Sequence, residues 1–230
     1  MAGLFVTGTD TGVGKTVAAC ALLHALAAAG HRTAAMKPVA AGCHTAAEGL
    51  RNDDALALRA AATEPASYAA VNPVALEPAC APHLAAAEAG VAIDIASLAR
   101  GARALEATAD TVVVEGAGGW RVPVSPAETL ADLARALGYP VVLVVAIRLG
   151  CLNHALLSAE AIRADGLALA GWIANCPDAD TPRAAAQIDA LQARLGAPLL
   201  GTLEWDPAAG GEGHARQLRC ERLFSRSEVL

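Results

Sequence analysis

The chain of 230 residues is long enough for one domain with a sizeable core, and its 55% hydrophobic content owes much to alanine, while aromatic residues supply only 3%. Seventeen basic residues against 23 acidic ones give a formal charge of −6, which argues against a protein held to nucleic acid or anionic lipid by bulk positive charge. Fifteen of the basic residues are arginine, and Lys15 and Lys37 are the only lysines.

The first residues run straight into a strand-like segment at 4–7, without the basic, apolar and cleavage regions of a secretory leader. A glycine-bearing loop follows, then a helix at 16–29, a strand at 33–37 stopped by Pro38, and a helix at 53–62 that Asp53 or Asp54 is placed to cap. Residues 71–82 carry Pro73, Pro78 and Pro82 and read as an extended excursion. Next come a helix at 95–107, a strand at 111–115, a helix at 128–137, a strand at 141–146 and a helix at 153–164. A strand at 168–174, a helix at 182–195 and a strand at 198–203 complete the alternation. Residues 206–213, rich in Gly, Pro and Ala, predict a loop before a short terminal helix.

Gly30, Gly138, Gly166 and Gly196 each follow a helix where a left-handed cap belongs. Several strands are apolar throughout, as parallel strands covered on both faces are. The expected fold is therefore α/β, a doubly wound, mostly parallel sheet with helices on both faces, and residues 1–230 form a single domain. No run of about 20 uncharged apolar residues predicts a membrane span. Cys20, Cys43, Cys80, Cys151, Cys176 and Cys220 are scattered without metal-ligand spacing, so they read as reduced, small buried hydrophobes of a cytoplasmic protein.

Residues 4–16, LFVTGTDTGVGKT, followed at once by the helical run VAACALLHALAAAG, have the context of a nucleotide-binding P-loop. Backbone N–H groups of such a loop converge on phosphate oxygens, where the helix dipole adds about half a positive charge. Lys15 is then expected to reach the β and γ phosphates, and the Thr16 hydroxyl to ligate magnesium. Thr9 stands where the usual pattern has glycine, giving G-x5-G-K-T from Gly8. Asp10 occupies the place of the early lysine in xKGGxGKT, the form found in cell-division and partition ATPases. No NKxD guanine-reading motif is present, which favours adenine.

In an open parallel sheet the carboxyl ends of strands line the ligand crevice, which places Lys37 beside the phosphate loop. The segment TVVVEGAGG ends a buried strand in Glu115, the position of a second magnesium contact, with glycines that let backbone approach phosphate.

GTDTGVGKT, MKPVAAG, LRNDDALAL, VNPVALEPACAPH, VVEGAGGW, VVAIRLGCLNHALLSAEAI and LAGWIAN together resemble the dethiobiotin synthetases, a P-loop NTPase family, over residues 5–203. The resemblance implies ATP-dependent conversion of 7,8-diaminopelargonate and carbon dioxide into dethiobiotin, ADP and phosphate, in biotin synthesis. Phosphoryl transfer between two anions needs charge neutralisation above all, and the resemblance makes Lys15 and Lys37 catalytic, with Lys37 between carbamate and γ-phosphate. It assigns magnesium to Thr16, Asp54 and Glu115. ATP falls to Gly12, Val13, Gly14, Lys15, Thr16 and Val17, with Asp54, Glu115, Gly116, Ala117 and Gly118. Asn175 would read adenine beside Cys176, and Glu204, Trp205 and Asp206 would close over the nucleotide.

The substrate would meet Thr11, Lys37 and Ala41, while Leu149, Gly150, Cys151 and Asn153 would receive its carboxylate from the neighbouring subunit of a homodimer. His154 is expected to pack rather than catalyse. Ala41 replaces a frequent serine and Glu204 a usual proline. An amidoligase of the cobyrinic acid diamide synthase type would need an appended glutaminase domain, for which 230 residues leave no room. A partition-type switch ATPase is disfavoured by Asp10 and by the matching substrate segments. Neither nucleic acid nor membrane is an expected partner.

Overall fold

The computed structural model describes residues 2–206 and 208–223. In chain order the elements are β1 (Gly3–Gly8), α1 (Lys15–Ala28), β2 (Thr33–Met36), β3 (Val39–Ala41), β4 (His44–Ala46), β5 (Gly49–Arg51), α2 (Asp53–Ala61) and α3 (Tyr68–Val71). They continue with β6 (Val74–Leu76), α4 (Pro82–Ala89), α5 (Ile95–Leu105), β7 (Thr111–Glu115), α6 (Leu130–Leu137), β8 (Val141–Ala146) and α7 (Cys151–Ala164). The last are β9 (Leu169–Asn175), α8 (Ala184–Gln192), β10 (Leu199–Leu203), α9 (Gly210–Ala215) and a 3-10 turn at Cys220–Leu223.

Six strands pair in the order β10-β9-β8-β1-β7-β2, all parallel. The apolar runs are continuous because both faces are covered, and alternate residues feed different cores. Leu4 and Val6 of β1 and Val113 of β7 pack with Leu22, Leu23 and Leu26 of α1 and Leu58 of α2. Phe5, Val112 and Val114 pack with Leu98 of α5, Leu133 of α6 and Ile162 of α7 on the other side. The strand order reverses direction at β1: the chain leaves it for β2 and β7 on one side and then for β8, β9 and β10 on the other. Such a reversal opens a crevice at the carboxyl ends of the strands.

The helix-ending glycines all adopt positive φ, at +89° for Gly30, +68° for Gly138, +79° for Gly166 and +58° for Gly196. Other expectations are corrected. The proline-bearing excursion holds regular structure: β6 pairs in parallel with β3, and Pro82 opens α4, where its missing N–H costs nothing. Neither Asp53 nor Asp54 caps α2; the cap is Asn52, whose Oδ1 accepts from the Ala55 N–H at 3.2 Å.

Helix α7 begins at Cys151, ahead of Asn153, and α9 begins inside the stretch that composition marks as loop, its buried His214 lying among residues packed on the α1 side. Residues 224–230 of the expected terminal helix lie outside the described residues. All six cysteines are free, but Cys80 is exposed and Cys176 half-buried, and His154 is exposed rather than packed. Among the described residues no helix is long and apolar enough to cross a membrane.

Candidate active site

The phosphate loop is a piece of backbone shaped by close packing. Val13 is buried beneath it, and Gly8 makes room: a Cβ at that position would stand 2.5 Å from the Val13 side chain. Thr9 lacks the left-handed backbone that would demand glycine, and its N–H donates to the Val144 carbonyl at 3.1 Å, tying the loop to β8. Gly14 is the N-cap of α1 in the left-handed region, φ +87°, with no side chain to occupy the first N–H groups of the helix. Those groups are free to face an anion. Lys15 Nζ folds back to donate to the Asp10 carbonyl at 2.9 Å. Burial, and secondarily the Lys37 charge, push its pKa down to about 8 against the pull of Glu115, Asp54 and Asp10.

Opposite the loop lies a buried charge cluster. Lys37, one residue past β2 and 4% exposed, donates from Nζ to Asp54 Oδ2 at 2.9 Å and to Glu115 Oε1 at 2.5 Å. Thr16 Oγ1 donates to the same Glu115 oxygen at 2.9 Å. Burial opposes the Lys37 ammonium, but the Glu115 and Asp54 carboxylates outweigh it and hold its pKa above the ordinary lysine value. Burial likewise pushes Asp54 upward, and Lys37 more than offsets it, leaving that carboxyl below its ordinary value. Glu115 is wholly buried; burial is the largest influence and carries its pKa upward despite Lys37. Its second oxygen, Oε2, is buried without a hydrogen-bond partner.

That orphaned oxygen tests whether the residues fit a magnesium ion. Thr16, Asp54 and Glu115 converge as hard oxygen donors, and a cation at Glu115 would satisfy the unpaired atom, so the donor set fits. Among the described residues no group of three His, Cys, Asp or Glu side chains could hold a metal unaided. Magnesium there would depend on phosphate and water oxygens, its habit in phosphoryl-transfer sites.

Loop and cluster face one cavity of about 850 Å³. Of the expected residues, Thr11, Gly12, Gly14, Lys15, Thr16, Val17, Lys37, Ala41, Asp54, Glu115, Ala117 and Gly118 line it. Val13 and Gly116 support it from below, Gly116 closing against Phe5. Asn52 and the stretch 79–82 also line the cavity and were not among the expected site residues. A proline opening α4 is the sequence signal that could have found the stretch 79–82, whereas Asn52, beside two aspartates that suit a helix cap equally well, carried none.

A second group of expected residues gathers at the same end of the sheet without lining that cavity. Asn175, ending β9, donates from Nδ2 to the Val13 carbonyl at 3.0 Å and packs against Gly14, so it braces the loop. The Cys176 N–H donates to the Leu203 carbonyl at 2.8 Å, and Glu204, Trp205 and Asp206 follow β10 into solvent, Trp205 being 49% exposed. Leu149, Gly150, Cys151 and Asn153 stand at the start of α7. Cys151 is buried, Gly150 and Asn153 are exposed, and Leu149 is 100% exposed. Just before them Arg148 reaches back to Asp10, at 3.6 Å.

The AAA domain family matches residues 2–212. The chain is 59% identical over 202 residues to the ATP-dependent dethiobiotin synthetase BioD of Pseudomonas paraeruginosa, covering 87% of this chain and 89% of that one. Identity to the ATP-dependent dethiobiotin synthetase BioD of Xanthomonas campestris pv. campestris is 52% over 215 residues, 94% of this chain and 96% of that one. Among solved structures, the septum site-determining protein MinD of Pyrococcus horikoshii, complexed with Mg-ADP, aligns with a TM-score of 0.53 at 18% identity, over 98% of this chain and 90% of that one. At that identity the likeness shows a shared P-loop fold.

Proposed function

We infer the chemistry from the premise that this chain belongs to the ATP-dependent dethiobiotin synthetase family. It is an ATP-dependent ligase that forms dethiobiotin, in biotin biosynthesis. An amine of 7,8-diaminopelargonate loses a proton and takes up carbon dioxide as a carbamate. A carbamate oxygen attacks the γ-phosphate and ADP leaves. The second amine then attacks the carbonyl carbon of the resulting carbamic-phosphoric anhydride, expelling phosphate and closing the cyclic urea.

The phosphoryl-transfer step brings two anions together, so positive charge must already be in place. The observation that carries the reading is the Lys37 ammonium, fixed in a buried position by two carboxylates on the wall opposite the phosphate loop. There it faces the space between γ-phosphate and carbamate. Lys15, on the loop side, exchanges the Asp10 carbonyl for phosphate oxygens, a richer set of acceptors for an ammonium whose charge burial disfavours. Thr16, Asp54 and Glu115 would hold magnesium, which when bound would supply charge neutralisation for phosphoryl transfer. Asn175 can brace the loop through Nδ2 while Oδ1 remains for the adenine amino group, with Cys176 and Glu204, Trp205 and Asp206 bordering the base.

The start of α7 turns outward, with Leu149 fully exposed and none of Leu149, Gly150, Cys151 or Asn153 on the cavity wall of its own chain. This supports a homodimer in which the first turn of α7, which no side chain caps, takes the substrate carboxylate in the partner's cavity through N–H groups beyond that of Cys151, already held by the Arg148 carbonyl. Free cysteines throughout support a reduced, cytoplasmic setting for the domain formed by residues 1–230.

Carbon-labelled bicarbonate is expected to enter a ureido product only when diaminopelargonate and ATP are both present; ATP hydrolysis without label in that product overturns the mechanism. Mixing a Lys15→Ala variant with an Asn153→Ala variant is expected to restore activity in exchanged dimers. No recovery after proven exchange would overturn the shared site.

A further inference from the structure

Lys37 and Asp54 lie on different elements, one past the end of β2 and the other in the first turn of α2, and both depend on α3. Lys37 lies one residue past the β2–β7 pairing, which ends at Met36 opposite Val114, so its backbone groups need partners outside the ladder. Its N–H donates to the Val71 carbonyl at 2.7 Å, and its carbonyl accepts from Asn72 Nδ2 at 2.7 Å. Asn72 is buried, and its Nδ2 also donates to the Val74 carbonyl at 3.3 Å. Its Oδ1 accepts from the Tyr68 hydroxyl at 3.0 Å. The Tyr68 oxygen in turn accepts from the Asn52 N–H at 2.8 Å, and Asn52 is the residue that caps α2 two positions before Asp54.

A line of hydrogen bonds thus runs from the Lys37 carbonyl through Asn72, Tyr68 and Asn52 to the helix start that carries Asp54. The other end of each segment closes on the Lys37–Asp54 ion pair. The Arg51 guanidinium lies over the Tyr68 ring, 4.2 Å from its centroid, a cation–π contact that favours this ring position. Burial pushes the Tyr68 pKa upward, which keeps the hydroxyl protonated and able to donate.

We propose that Tyr68 and Asn72 are positioning residues: their Lys37–Asn72–Tyr68–Asn52 strut sets the separation of the catalytic ammonium and the Asp54 carboxylate. This rests on the roles given to Lys37 and Asp54 above. The strut makes the placement of Asp54 depend on the same hydroxyl as the placement of Lys37, so one deletion disturbs both. An ordinary loop contact would act on one segment only.

Tyr68→Phe keeps the ring and its contact with Arg51 and removes only the hydroxyl. The expected result is kcat lowered about tenfold, with KM for ATP in magnesium raised no more than severalfold. Calorimetric ADP affinity measured without magnesium should be unchanged, while the strengthening of ADP binding by magnesium falls severalfold, because Asp54 is displaced. Asn72→Ala should produce the same pattern more strongly, and Tyr68→Phe keeps the test decisive if that variant does not fold. Unchanged kcat and magnesium response in Tyr68→Phe overturns the strut. So does an equal loss of ADP affinity with and without magnesium, the mark of general loosening. Lys37→Ala and Asp54→Ala run alongside: if they keep full activity, the underlying reading of the site fails, and if they lose it while Tyr68→Phe does not, the strut alone fails.

Discussion

The two walls of the cavity are built by different means. The phosphate-loop wall is contiguous, residues 8–17, and works mostly through backbone: a left-handed Gly14, a buried Val13 and the open first turn of α1. The opposite wall is assembled from Lys37, Asp54 and Glu115, which meet only because β2, α2 and β7 bring their site-facing ends to the same place. A backbone cradle depends on the conformation each position allows, whereas a buried ion pair stands or falls with each charged member. The difference predicts graded sensitivities.

The largest effect is expected at Lys37. Lys37→Ala should lower turnover on the order of a hundredfold or more, the scale of a lost transition-state charge. It should also cost roughly 3 kcal/mol of stability by leaving Glu115 buried without its ammonium. Adding Glu115→Gln should recover part of that stability and none of the turnover, as read by denaturant titration and steady-state assay. If Lys37→Ala and the double variant are equally stable, the buried pair is not what distinguishes this wall.

Lys15 should show its difference through pH. Its folded pKa of about 8 lies below the ordinary 10.5, so the folded chain binds fewer protons than the unfolded chain between those values. The charge therefore weakens the fold fully below about pH 8, and the weakening fades as pH rises toward 10.5. Its full size is on the order of 3 kcal/mol. Nucleotide phosphate favours the charged form, so ADP binding above about pH 8 should take up protons and weaken as pH rises. Calorimetry in buffers of different ionisation enthalpy measures the uptake, and Lys15→Met should abolish both trends.

A smaller contrast lies inside the loop. Gly14→Ala places a side chain in the left-handed region and a Cβ 2.2 Å from Asn175 Nδ2, and should cost roughly 2 kcal/mol together with most nucleotide affinity. Gly12→Ala, at φ +70° with open space around it, should cost about 1 kcal/mol by strain alone. Asn52→Ala, which removes the α2 cap, should cost a similar amount, about 1 kcal/mol of stability. Equal melting temperatures for the two glycine variants would show that Asn175 yields rather than braces.

The same contrast governs what could be read in advance. The six central strands were legible because continuous apolar runs mark doubly covered parallel strands, and Lys15 and Thr16 because a strand, loop and helix in succession define the cradle locally. Lys37 was marked by lysine scarcity and Glu115 by its strand end. The short pairings β3–β6 and β4–β5 were not legible: three-residue strands carry no periodicity, and β6 sits among prolines that suggest irregular chain. Nor was the Asn52 cap, with two aspartates beside it, since both residue types suit that position and only geometry chooses among the three.

By itself, then, the sequence determined the architecture, the phosphate loop and the identity of the charged residues, because these depend on local pattern and on chemistry that few residue types can perform. Tertiary structure decided which oxygens Lys37 touches, that Glu115 Oε2 is left unpaired, that Asn175 braces the loop, and that Tyr68 and Asn72 join two segments of the site. Those are distances between segments remote in the chain, set by packing across the sheet, and no local pattern encodes them.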